Sequence, residues 1–330
     1  MTLPIAVDAL GGDKAPGEIV AGAAQAAREL DVPVVLVGPP EMIGDPLGLE
    51  IVPCTEVIDM HEEGARAVRR KKDSSLVVAA ELVRDGKASA MLSAGNTGAT
   101  VASALLRMGR LSGVNRPAIA TPIPVPGGTP TVLLDAGANA EVQAPWMVQF
   151  AQMGSAYATA RYGIAEPKVG LLNIGEEESK GTDLTKQAHA LLKEANGIRF
   201  VGNVEGRDLL TDEVDVVVTD GFTGNVALKT LEGGMKFLRD AVFTAMMSSE
   251  EAIKASETLL PLLLPLAEDL DPDSHGGAMA LGLKGVCIIS HGSSSAKAIV
   301  NAVRVAKDMI DQDLVASLQA AIHKGTSATE

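Results

Sequence analysis

An α/β fold with a largely parallel sheet covered on both faces is predicted by three features of the sequence. Short runs of Val, Ile and Leu recur along the chain, each ends in a turn of small residues, and each turn leads into a stretch with helical spacing. Alternation of this kind implies βαβ units, whose crossover helices cover both faces of the sheet. PIAVDALGGD (residues 4–13) opens the series, and VPVVLVG (32–38) follows. ASAMLSAGNTG (88–98) runs into the helical ATVASALLRMGRL, and TVLLDAGAN occupies 131–139. KVGLLNIGEEESKGTD (168–183), VDVVVTDGFTGN (214–225) and GVCIISHGSSSAKA (285–298) complete it.

Composition agrees with this grammar. The 330 residues are 46% hydrophobic but only 2% aromatic, with 34 glycines, so the core is aliphatic and the turns are many and tight. One domain over 1–330 is expected, because no composition break marks a linker. The Pro-rich TPIPVPGGTP (121–130) reads as an irregular connection or a hairpin, stiffened beyond what a tether needs. The Pro-flanked segment 259–272 is the other candidate boundary.

The net charge of −14 argues against a nucleic-acid surface, so an anionic partner must meet a local basic patch. Cys54 and Cys287 form no CxxC and have no ligand companions, which argues against a disulfide framework or a zinc site and fits a reducing cytoplasm. No cofactor or metal is expected. MTLPIAVDALGGD lacks the basic start and long apolar stretch of a secretory signal, and the apolar run 259–267 is far short of the ~20 residues of a membrane span.

In open α/β sheets, ligands collect beyond the carboxyl ends of the strands, where helix N-termini present free N–H groups. The glycine loops are expected to converge there, at one end of the sheet, on an anionic small molecule held through phosphate. Asp8, Gly11, Gly12 and Asp13 form the first of these loops, and Asp135 and Asn139 lie in the fourth. In the third, Ser93, Gly95, Asn96, Thr97 and Gly98 match neither a Walker loop nor GxGxxG, and read as a helix cap or a ligand turn. Asn173 begins NIGEEESKGTD, where Lys180 and Gly181 precede a helix started by Thr182; the loop is either solvated or aimed at an anion. Asp220, Gly221, Asn225 and Lys229 share the next loop and helix start, with Lys229 one turn after Asn225. His291 stands at a strand end as a structural residue or a ligand contact, and His189 reads as a surface helix position. No GxSxG elbow and no Ser, His and Asp set can be ordered into a triad, so the nucleophile must come from a substrate. Arg66, Arg69, Arg70, Lys71 and Lys72 are the one dense basic run, either the last turn of a surface helix or a docking patch.

Nine blocks in order carry a resemblance to a family. IAVDALGGDKAP, RRKKDSS, LSAGNTGAT, RLSGVNRPAIATPIP, LLDAGAN, VGLLNIGEEESKGTDLTK, FVGNVEGRD, VDVVVTDGFTGNVALKTLEG and GGAMALGLKGVCIISHGSS together resemble the PlsX-type phosphate acyltransferases, from residue 4 to about residue 310. The resemblance implies a three-layer α/β/α sandwich similar to isopropylmalate dehydrogenase-like and phosphotransacetylase-like folds, and a homodimer. It implies transfer of an acyl group from acyl carrier protein to inorganic phosphate, with the acyl phosphate passing to a membrane glycerol-phosphate acyltransferase in phospholipid synthesis. It also implies Lys180 and Asn225 as catalytic residues, and an apolar helical protrusion around 240–272 able to make peripheral membrane contact. Because the carrier is acidic, the basic run 66–72 is the expected docking site. A coenzyme A-dependent phosphotransacetylase, a dehydrogenase of the isopropylmalate type and a non-catalytic phosphate-ligand sensor are the rivals.

Overall fold

The computed structural model describes residues 2–326. Strands β1 (Ile5–Asp8), β2 (Val34–Gly38), β3 (Glu50–Pro53) and β4 (Ala90–Ser93) alternate with helices α1 (Gly17–Glu29), α2 (Pro40–Ile43), α3 (Gly64–Arg70) and α4 (Ser75–Arg84). Helix α5 (Thr97–Arg107) leads to β5 (Ala118–Ile123), β6 (Thr131–Leu134), α6 (Ala144–Tyr162), β7 (Lys168–Leu172), α7 (Asp183–Glu194), β8 (Arg199–Val204) and β9 (Val216–Val218). The long α8 (Gly221–Met246) and α9 (Glu250–Asp269) precede β10 (Ala278–Leu281), β11 (Val286–Ile289), α10 (Ala296–Asp311) and α11 (Leu314–Thr326).

The described strands make one eleven-stranded sheet, ordered β3-β2-β1-β4-β11-β10-β5-β6-β9-β7-β8. Strand residues alternate between two apolar layers: Ile5 and Val7 face one with α1, α6 and α10, while Ala6 faces the other with α4 and α5. This is the three-layer α/β/α arrangement, with aliphatic cores on both faces.

The sheet holds two parallel blocks. β3, β2, β1, β4 and β11 form the first, and β6, β9, β7 and β8 the second. Between them β11 with β10, β10 with β5, and β5 with β6 all pair antiparallel. Three reversals leave the blocks pointing in opposite directions, so their carboxyl ends face opposite edges. The expectation that all glycine loops converge at one end is therefore corrected. The cause lies in two short connections: seven residues join β5 to β6 and four join β10 to β11, too few for the crossover a parallel pair requires. The segment 121–130 thus holds the end of β5 and the turn of a β5–β6 hairpin.

Beyond Leu231, the last of its residues packed on the core after Ala227 and Leu228, α8 leaves the body. Only Gly221 and Gly224 of α8 are buried, and no described residue of α9 is. The two helices form an apolar protrusion that begins earlier than residue 240, and Phe237 on it is 75% exposed. The second candidate boundary, 259–272, falls at the end of α9. No described helix is long and apolar enough to cross a membrane.

Candidate functional site

At the first-block edge the loops bind chiefly one another. Asp8, buried at the end of β1, accepts a 2.7 Å hydrogen bond from Ser93 Oγ at the end of β4, and Ser93 Oγ accepts one from Gly95 N at 2.9 Å. Burial pushes the Asp8 carboxyl up, opposed by the Ser75 and Ser93 hydroxyls. Gly11 fits here because any side chain would collide: a methyl group would lie 2.5 Å from Asp8 Oδ2 and 2.8 Å from Ser93 Oγ. Gly12 adopts φ 112°, and Asp13 N donates to the Gly292 carbonyl at 2.7 Å. His291 is exposed next to it, with Nδ1 2.8 Å from Ser293 Oγ. Asn96 caps α5 by accepting from Ala99 N, and its Nδ2 donates to the Met60 and Glu62 carbonyls. Thr97 and Gly98 are exposed on the first turn of that helix.

The basic run lies beside this edge, on α3 and the two residues that follow it. Arg70 and Lys71 both bind Glu62 at 2.5 Å, and the Lys71 ammonium first, then the Asp59 N–H, hold the Glu62 carboxyl below the usual range. Arg66, Arg69 and Lys72 are exposed and have no ion pair among the described residues, so three of the five expected docking cations are open to a partner.

The second-block edge is different in character. Strands β6, β9 and β7 are neighbours, and their ends carry Asp135, Asp220 and Asn173 respectively. Asp135 is fully buried; its carboxylate accepts from the backbone N–H groups of Ile119, Gly137, Ala138 and Asn139 and from Asn139 Nδ2, at 2.8–3.1 Å. Burial raises its carboxyl, and those donors oppose the rise. The result is a loop folded around one carboxylate. Helix α8 is pressed onto that loop: Gly221 N donates to the Asn139 carbonyl at 2.8 Å, and a methyl group on Gly224 would overlap the Asp135 carbonyl oxygen. Asp220 caps α8 by accepting from Thr223 N at 2.8 Å. This docking brings the exposed Asn225 to Gly137, where a methyl group would sit 3.5–3.7 Å from the Asn225 side chain. Lys229, one turn on, pairs with Glu232 at 2.7 Å.

Lys180 ends the loop after β7 and is exposed, with no ion pair among the described residues. Asn173 Nδ2 donates to the Lys180 carbonyl at 3.2 Å. Gly181, at φ 91°, has no room for a side chain between Thr185 and Asn173. Thr182 caps α7 as the sequence predicts. The three acids ahead of Lys180 are partly engaged, since Glu178 pairs with Lys193 at 2.7 Å. His189, expected on the surface, is buried: its Nδ1 lies 2.9 Å from Asn203 Oδ1, while Asn203 Nδ2 donates to the Glu177 carbonyl at 2.9 Å. These two residues anchor the Lys180 loop to β8. Sequence reasoning misses them because a His on a polar helix and an Asn inside a strand carry no local signature.

Asn225 and Lys180 thus offer an amide and an ammonium, neither committed to another described side chain, from adjacent strand ends. The second-block edge also holds Asp135, Asn139, Asn173, Gly181, Asp220, Gly221 and Lys229; the other expected ligand residues are on the opposite edge. Both thiols are poor nucleophiles, since burial pushes Cys54 and Cys287 up to about 12. No cluster of metal-binding side chains occurs among the described residues.

A three-layer α/β/α protein with exposed polar loops at its strand ends is the class that this fold and edge define. The fold is similar to a phosphotransacetylase from Streptococcus pyogenes, with a TM-score of 0.63 at 16% identity over 94% of each chain. It is also similar to a branched-chain phosphotransacylase from Enterococcus faecalis V583, with a TM-score of 0.60 at 15% identity, covering 94% of this chain and 99% of that one. The model of the "fatty acid synthesis protein" family matches residues 3–317. A phosphate acyltransferase from Nostoc punctiforme is 48% identical, covering 96% of this chain and 95% of that one, and one from Heliobacterium modesticaldum is 49% identical, covering 96% of both. The chain belongs to this family, that of the phosphate acyltransferases, and is an acyltransferase.

Proposed function

We propose that the protein transfers an acyl group from acyl carrier protein to inorganic phosphate, by direct attack of bound phosphate on the thioester. A phosphate oxygen bonds to the thioester carbon, the carbonyl becomes an oxyanion, and the carbon–sulfur bond then breaks. Acyl phosphate and the carrier thiolate result, and the thiolate takes up a proton. Phosphate is a dianion near neutral pH, so the enzyme needs chiefly to hold and orient it. Lys180 serves that role, and the Asn225 amide donates to the oxyanion, a contribution of ~3 kcal/mol for a donor of this kind.

The observation that carries this reading is the pair of uncommitted donors, Lys180 and Asn225, on adjacent strand ends, with both thiols buried and no Ser, His and Asp triad among the described residues. Phosphate-dependent loss of the acyl carrier thioester, with the acyl phosphate trapped by hydroxylamine, tests it. Lys180→Ala and Asn225→Ala are each expected to lower kcat about a hundredfold or more; near-normal rates in folded variants would remove the assignment. An arm with acyl-coenzyme A in place of the carrier separates the coenzyme A-dependent alternative.

We propose further that Arg66, Arg69 and Lys72 receive the acidic carrier; because they lie at the sheet edge opposite Lys180, a carrier docked on one protomer would serve the Lys180 edge of the other protomer of the proposed homodimer. Arg66→Glu with Arg69→Glu should raise KM for the carrier substrate and leave kcat unchanged, and an unaltered KM would end this idea. The product is proposed to feed a membrane glycerol-phosphate acyltransferase, from a homodimer whose α8 and α9 protrusion touches the bilayer.

A further inference from the structure

Beside the proposed catalytic edge lies a cavity of about 340 Å³, lined by Arg116, Asn139, Glu141, Val142, Gln143 and Trp146. We propose that it is a phosphate-group subsite, with the Arg116 guanidinium as its anion-binding fork. The phosphate identity rests on the function proposed above, whereas the presence of an anion seat rests on the cavity itself.

Arg116 has no carboxylate within ion-pair distance among the described residues, although the chain is strongly acidic. Its guanidinium carbon stands 5.2 Å from the Trp146 ring centroid. A guanidinium held over an aromatic ring by this contact still has N–H groups to offer an oxyanion. The contact also restrains a long side chain before the ligand arrives, which lowers the entropy lost on binding.

Position ties the cavity to the reaction. Asn139, one of its walls, has its side-chain amide fixed on the Asp135 carboxylate and the Pro117 carbonyl, both at 2.8 Å. Its carbonyl holds Gly221 N, in the helix that presents Asn225. A phosphate group in the cavity is therefore one loop away from the proposed oxyanion donor. Two sources share this chemistry: the attacking inorganic phosphate, and the phosphodiester of the carrier's phosphopantetheine arm. Glu141 in the same wall opposes any anion, which provides a test of sign.

Trp146 is the only tryptophan, so its fluorescence reports the cavity without a label. The experiment titrates the whole protein with inorganic phosphate, with 4′-phosphopantetheine and with pantetheine, following fluorescence and calorimetric heat. A saturable response to either phosphate-bearing probe, with none to pantetheine, is expected. Response to inorganic phosphate identifies the nucleophile's seat; response to phosphopantetheine alone identifies the anchor of the arm. Arg116→Gln should weaken that binding about tenfold, Arg116→Lys less, and Glu141→Gln should tighten it several-fold. Failure of both phosphate probes to bind, equal binding of pantetheine, or binding unchanged by both Arg116→Gln and Glu141→Gln would overturn the proposal. A protein that fails these titrations yet forms acyl phosphate loses the subsite and keeps the proposed reaction.

Discussion

At the scale of single residues, the second-block edge separates groups that are spent from groups that are available. Asp135 takes five N–H donors, Asn139 gives its amide to Asp135, and Asp220 caps a helix. Such residues shape loops. Lys180 and Asn225 have no such commitment, which is why the chemistry is assigned to them and why their removal should reduce turnover more than stability. The distinction was only partly legible in the sequence. Asp135, Asn139, Asp220 and Asn225 all stand out as polar residues beside glycine at strand ends, but which of them bind the chain itself depends on loop conformation. Asp8 and Ser93 show the same limit, since their mutual hydrogen bond joins residues 85 positions apart. Arg116 carries no local mark beyond a following proline, and its value comes from Trp146 thirty positions later.

At the scale of elements, α8 does two jobs along its length. Its first turn is fitted against the Asp135 loop through glycine, Ala227, Leu228 and Leu231 pack on the core, and its outer turns are largely exposed. Gly224→Ala forces a methyl group onto the Asp135 carbonyl and should destabilise the protein by about 1–3 kcal/mol while moving Asn225. Gly233, farther along the same helix, meets nothing within 4 Å, so Gly233→Ala should stabilise by up to about 1 kcal/mol. Thermal or urea unfolding of the two variants checks this; equal effects of the same sign would mean that the first turn is not held as described. The repeating strands and their following helices were legible because Val, Ile and Leu runs and small-residue turns mark each. β5 and β10 were not, since AIATPI and AMAL break their larger apolar residues up with alanine and proline and so show no continuous Val, Ile and Leu run. The four residues between β10 and β11 were the available signal, because so short a link excludes a parallel crossover.

At the scale of the whole molecule, the opposed blocks place the basic α3 and the Lys180 edge at opposite edges of one sheet, a separation that strand composition does not encode. The apolar protrusion was legible as a run of Leu, yet its full extent depends on α8 leaving the body. Leu262 and Leu264 there are 73% and 57% exposed, and Leu262→Glu with Leu264→Glu should abolish flotation with anionic lipid vesicles; unaltered flotation would leave the protrusion without a membrane role. The central claim, that bound phosphate and no enzyme group attacks the thioester, is tested most directly by intact-protein mass after stoichiometric mixing with acyl carrier substrate. Without phosphate, the protein should keep its mass and the thioester should persist. Once phosphate is added, the thioester should be consumed and acyl phosphate should appear. An acyl adduct on the protein in the phosphate-free sample, passed on when phosphate arrives, would contradict the account.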